Sequence, residues 1–116
     1  MVQVTMQLSD ELAERVQPMR DWLPTVLELS LVKFKTPATA PASEILQFLS
    51  TAPAPQAVLN YHVSERAQMR LQRLLALNDA GLSGEEEQRE LDELQHIEQI
   101  IILLKMRVAE QMQGHN

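Results

Sequence analysis

Cysteine is absent from this 116-residue chain, which excludes disulfides, thiolate metal sites and cysteine nucleophiles and suits a cytoplasmic protein. Aromatic residues are scarce. Trp22, Phe34, Phe48 and Tyr61 make up the whole set, so the core must be aliphatic. No stretch stays apolar for the roughly 18 residues that a membrane span requires. The opening VQVTMQLSDE has neither a basic n-region nor an apolar h-region, so no signal peptide is expected. Basic charge is also in short supply, and a formal charge of −6 argues against holding nucleic acid chiefly by electrostatics. There is no glycine-rich phosphate loop, cysteine motif or serine–histidine–carboxylate arrangement. Neither catalysis, a cofactor nor a small-molecule substrate is therefore expected.

The residues that are present describe a folded chain, 45% apolar, with room for one ordinary domain or two small modules. Charge is unevenly placed. Residues 1–40 carry five acids and four bases, a net of −1, and the other 11 acids and six bases give −5. The near-neutral third begins with VQVTMQL, an unbroken alternation that puts Val2, Val4, Met6 and Leu8 on one face of a predicted strand and Gln3, Thr5 and Gln7 on the other. Ser9 then reads as an N-cap, with Asp10 and Glu11 where the helix dipole favours negative charge. Leu12, Val16 and Met19 follow at helical spacing, and Pro18 shortens or kinks that helix. A second helix is expected from Pro24 or Thr25 to about Lys35. It is apolar almost all round, which implies burial on several sides.

TPATAPAS (36–43) reads as a stiff linker. Ser43 caps a short helix through Leu49, and STAPAP (50–55) is a second breaker of the same kind. VLNYHV (58–63) is compatible with a short strand or with the approach to a helix. From Ser64 a helix is predicted to about Asn78, with Val63, Ala67, Leu71, Leu74 and Leu75 on one face, and NDAGLSG makes a turn. Ser83 with Glu86 has capping-box spacing and opens a long helix to about Met112. Folding back at Gly81 sets Arg70 opposite Asp92 and Glu93, and Arg73 opposite Arg89 and Glu90. The domain division is thus 1–36, 37–63 and an interaction hairpin over 64–113.

The seam of the last helix is Leu94, Ile97, Ile101, Leu104 and Val108. Around it, IIILLK (100–105) is apolar on every side, more than one antiparallel helix covers. Ile97, Ile100, Ile101, Leu103, Leu104 and Val108 are accordingly the candidate protein-interaction residues. The cover is either another part of this chain, another copy, or a different protein. Glu93-x-x-His96 has the spacing of a carboxylate-bridged metal helix, but no second pair of inward glutamates accompanies it and no metal site is expected. His62, His96 and His115 are isolated and expected in solvent.

A short strand, a capped helix and a buried second helix within about 36 residues resemble the ribbon-helix-helix family. In that family two chains pair their N-terminal strands, share one core and set the ribbon into the major groove of DNA. The resemblance implies a dimer with Gln3, Thr5 and Gln7 facing base edges, where a glutamine amide matches adenine and a threonine methyl touches thymine. It also implies that the helix start near Thr25 meets a phosphate. LLALNDAGLSGEEEQRELDELQHIEQIIILLKMR further resembles the helical hairpin of small bacterial, frequently cyanobacterial, predicted antitoxins. The expected fold is thus mostly α, with a short N-terminal strand and a long antiparallel helical hairpin. The expected function is an antitoxin-like regulator with a homodimer or higher oligomer, a toxin protein and operator DNA as partners. The reading from a different class is a helical adaptor or assembly protein that never touches DNA. The strand itself admits a DNA-reading ribbon, a dimer strand without DNA contact, or pairing within one chain.

Overall fold

The computed structural model describes residues 2–114, and all regular structure among them is helical. The α-helices, in order, are α1 (Asp10–Val16), α2 (Leu23–Leu31), α3 (Thr39–Ser50), α4 (Pro55–Leu59), α5 (Glu65–Asp79) and α6 (Glu85–Gly114). A 3₁₀ segment, Gln17–Trp22, joins α1 to α2.

The mostly α expectation holds, but the expected N-terminal strand is not there. Residues 2–9 have no regular structure, and no backbone hydrogen bond involves residues 2–8 among the described residues. The ribbon-helix-helix arrangement is therefore not the fold of this chain. A strand exists through its ladder, and with every other element helical there is no sheet edge for VQVTMQL to join. What remains is an arm ending at Ser9, whose Oγ accepts the Leu12 N–H at 3.2 Å and starts α1.

Proline sets the next boundaries. Pro18 lies in the first turn of the 3₁₀ segment, and Met19 (φ −107°, ψ 16°) kinks the chain there. Pro24 sits in the first turn of α2, which ends when Val32 turns extended (φ −76°, ψ 125°), earlier than the apolar run suggests. The Trp22 indole N–H donates to the Pro53 carbonyl at 3.1 Å and ties this region to the loop before α4. The stretch expected to be a stiff linker is largely helix. Thr36 Oγ1 accepts the Ala38 N–H at 3.1 Å just ahead of α3. Pro41 falls in the first turn of α3, where no intrahelical hydrogen bond is lost. VLNYHV closes α4 and becomes an irregular link, with Tyr61 stacked on Phe48 at 4.6 Å between ring centroids.

The hairpin forms as expected. Ser64 Oγ accepts the Ala67 N–H at 3.2 Å and caps α5. Gly81 at φ +73° closes the turn: its N–H bonds Asn78 O, and the Leu82 N–H reaches Leu77 O at 2.9 Å. That pair of bonds is the Schellman arrangement, and its left-handed position is one that a Cβ disfavours. The expected Ser83–Glu86 capping box does not form. Gly84 O accepts the Gln88 N–H, so Gly84 takes the N-cap role, and the Glu87 carboxylate folds back over it. Ser83 Oγ is buried and has no partner among the described residues.

At 30 residues α6 is about 45 Å long, and it is the spine of the molecule. Leu91, Leu94, Ile97, Ile100, Leu104 and Val108 are buried along it, and it packs on α2, α4 and α5. One contiguous core joins them to Trp22, Leu29, Ile45, Leu49, Val58 and Leu74. Within IIILLK the chain itself buries Ile100 and Leu104 and half-buries Ile101, while Ile102 and Leu103 stay exposed. While α5 takes one flank of α6, α2 and α4 take more of its circumference.

Candidate protein-interaction surface

Of the six residues expected to hold a partner, Ile97, Ile100, Leu104 and Val108 are core, Ile101 is half-buried and Leu103 stays exposed. The fully apolar run is thus buried on one side, at Ile100 and Leu104, and open on the other, at Ile102 and Leu103. Thr25, expected to offer a helix start to a phosphate, is 3% exposed. Its helix packs into the molecule there, so its side chain does not face a ligand. Gln3, Thr5 and Gln7 are all exposed.

Their apolar neighbours are exposed as well. Val2, Val4, Met6 and Leu8 are 88%, 75%, 59% and 39% accessible, although the alternation marked them as the face that should be buried. On α2, Leu29 turns inward while Leu27 and Leu31, two residues to either side, are 47% and 79% exposed. A helix places residues two apart on roughly opposite sides, so burying Leu29 leaves that pair outside. The apolar surface of this region has no cover within the chain. Ile102, Leu103 and Met106 add a smaller exposed apolar set on α6.

Two concavities flank the hairpin. The first is an apolar groove of about 270 Å³ between α5 and α6. Val63, Ala67, Leu71, Leu94, Ile97 and Ile101 line it, with Pro41 of α3 closing one side and His62, Gln68 and Glu98 at its rim. Gln68 is held in place by its amide N–H on Val63 O at 2.9 Å. Sequence reasoning named Ile97 and Ile101 and placed Val63, Ala67 and Leu71 on one apolar face, but did not join the two as a groove. The only signal for it was the Val63, Ala67, Leu71 spacing, whose small central residue leaves room.

The second concavity, about 460 Å³, is polar and lies between the 35–37 turn and the start of the hairpin. Its wall is a two-point ion pair. Arg70 Nε and a terminal guanidinium nitrogen donate to the two Glu90 oxygens at 2.7 and 2.9 Å. Glu90 is buried, and this hydrogen bonding holds the Arg70 guanidinium above its ordinary range. The expected partners of Arg70 were Asp92 and Glu93, so the register differs by two to three residues. Glu93 is committed elsewhere: its carboxylate accepts the Lys35 N–H at 3.1 and 3.2 Å and the Thr36 hydroxyl at 2.7 Å. That contact locks the α2–α3 turn to α6.

The same contact takes Glu93 out of any pairing with His96, which is exposed, and no three metal-ligating side chains converge among the described residues. His62 is exposed, and His115 lies outside the described residues. Burial, with Glu44 nearby, pushes the Tyr61 phenol above its usual range, while its backbone carbonyl accepts from Lys105 Nζ. No described helix is long and apolar enough to cross a membrane. Comparison with family models, with curated proteins and with solved structures returns no match.

Proposed function

We propose that this chain is a self-assembling helical adaptor, a binding protein that works by joining copies of itself through its N-terminal third. The observation that carries the reading is the arm. Four large apolar side chains alternate along residues 2–8, all exposed, on a backbone without a partner. Contiguous apolar surface of this kind marks interfaces in soluble proteins. Charge favours another copy as the partner. Residues 1–40 carry a net of −1 against −5 for the remainder, so a contact made by the N-terminal third of one copy meets little repulsion from another.

Light scattering on the full chain at micromolar concentration tests this. The expected mass is a multiple of 13.2 kDa, and a Val4→Asp/Met6→Asp variant should return to the monomer mass with its helical content intact. A wild-type chain that stays monomeric at every concentration sinks the reading. The exposure of Gln3, Thr5 and Gln7 favours a second reading, in which the arm carries these polar groups to base edges of DNA. A mobility shift with the DNA upstream of the gene, abolished in the Gln3/Thr5/Gln7 triple alanine variant, would select it.

A further inference from the structure

The arm and the groove between α5 and α6 are each incomplete, and each has what the other lacks. The arm offers Val4 and Met6 on one side of an extended stretch, about 6.6–6.8 Å apart if the backbone is fully extended. The groove is an apolar trough of about 270 Å³ floored by Ile97 and Ile101 and walled by Ala67 and Leu71. The chain's own arm does not fill it, since Val4 and Met6 are exposed and the groove is open. Residues 2–8 carry no charged side chain, so an arm approaches the acidic hairpin, with Glu98 at the groove rim, without repulsion.

We propose that the arm of one copy lies in the α5–α6 groove of a second copy, and that the second copy returns its arm to the first. This rests on the self-assembly reading above and names the two surfaces that meet. The exchange gives a closed two-fold dimer with two identical arm–groove joints, in which an identical element is swapped. Side chains rather than a backbone ladder make the joint, because the groove has helical walls and no sheet edge. Gln68, already fixed through its amide N–H, keeps its Oε1 free at the rim to accept from an arm N–H or from the Gln3 or Gln7 amide.

The test is complementation between two variants of the full chain. Ala67→Trp fills the groove, and Ala67→Glu, a second variant at the same site, puts a charge in it. Val4→Asp/Met6→Asp disables the arm. Each variant should weaken dimerisation by on the order of tenfold or more while keeping the circular dichroism of the wild type. An equimolar mixture of arm-defective and groove-defective chains retains one good arm and one good groove. It should therefore form a mixed dimer at concentrations where each variant alone is monomeric, as seen by light scattering or native mass spectrometry. Two results overturn the inference while leaving self-assembly intact: both groove variants dimerise like the wild type, which is the outcome of arm-to-arm pairing, or the mixture stays monomeric although the wild type dimerises. A wild-type chain that never dimerises removes the self-assembly reading and this joint together.

Discussion

In the hairpin of α5 and α6, Leu74, Leu91, Leu94, Ile97, Ile100, Leu104 and Val108 all point into the core. In residues 2–31, Val2, Val4, Met6, Leu8, Leu12, Leu27 and Leu31 point out of it. Both regions are rich in aliphatic residues, so composition does not separate them. Connectivity does. The hairpin brings two long apolar stripes together across one short turn, and α2 and α4 complete their cover. The arm leads into α1, which packs on the 3₁₀ segment, and among the described residues its apolar side chains stay exposed. The apolar seam of the hairpin therefore stabilises the fold, while the apolar side chains of residues 2–8, with Leu27 and Leu31, stay exposed.

Substitutions of similar size should have opposite consequences in the two regions. Ile97→Ala, at the centre of the α6 core, should lower unfolding stability by about 2–5 kcal/mol in urea titration. Leu31→Ala, removing a side chain of similar size from the exposed face of α2, should change it by no more than about 0.5 kcal/mol. Comparable losses at both sites would break the distinction.

The ion pair comes next in size. Arg70→Ala leaves the buried Glu90 carboxylate without its partner, and cutting a buried pair costs about 3–5 kcal/mol. Because the Arg70 side chain is 43% exposed, solvent reduces the effect, and about 2 kcal/mol is expected. Arg70→Lys should recover only part of it, since an ammonium lacks the planar fork that meets both oxygens. Full recovery with lysine would mean that charge alone matters. A smaller loss than that of the ion pair belongs to the turn. Gly81→Ala forces a Cβ into a left-handed position and should cost about 1 kcal/mol. The midpoint should shift while the hairpin still forms, and no shift at all would show that the turn relaxes.

Much of the hairpin was legible from residues alone, because its signals are local. Ser64 and Ser9 cap the helices they precede, and Gly81 closes the turn. Leu94, Ile97, Leu104 and Val108 follow the α6 seam into the core. Contacts between distant residues were not legible. Periodicity placed Arg70 within reach of acids on α6 but not at Glu90 in particular. Glu93 was expected opposite Arg70, yet its carboxylate accepts from the 35–36 turn, 58 residues away in the case of Lys35. The VQVTMQL pattern was misleading for a related reason. Alternation reports a preference for a half-buried pleated surface, and the rest of the chain supplies no such surface. Of the groove, the apolar faces of both helices were legible, but its closure by Pro41 was not, since that depends on where a distant stretch of chain packs.

By itself the sequence determined that this protein is helical, aliphatic in its core and acidic toward its C-terminal end. It also determined where the hairpin turns, because caps, turns and apolar stripes act over a few residues. Only the tertiary structure decided that Ile100 and Leu104 are covered from within while Ile102 and Leu103 are not, that Glu90 and Glu93 hold different partners, and that the arm stays exposed. Those outcomes depend on which distant surfaces meet, and burial favours any close-fitting apolar pairing without specifying one from composition alone.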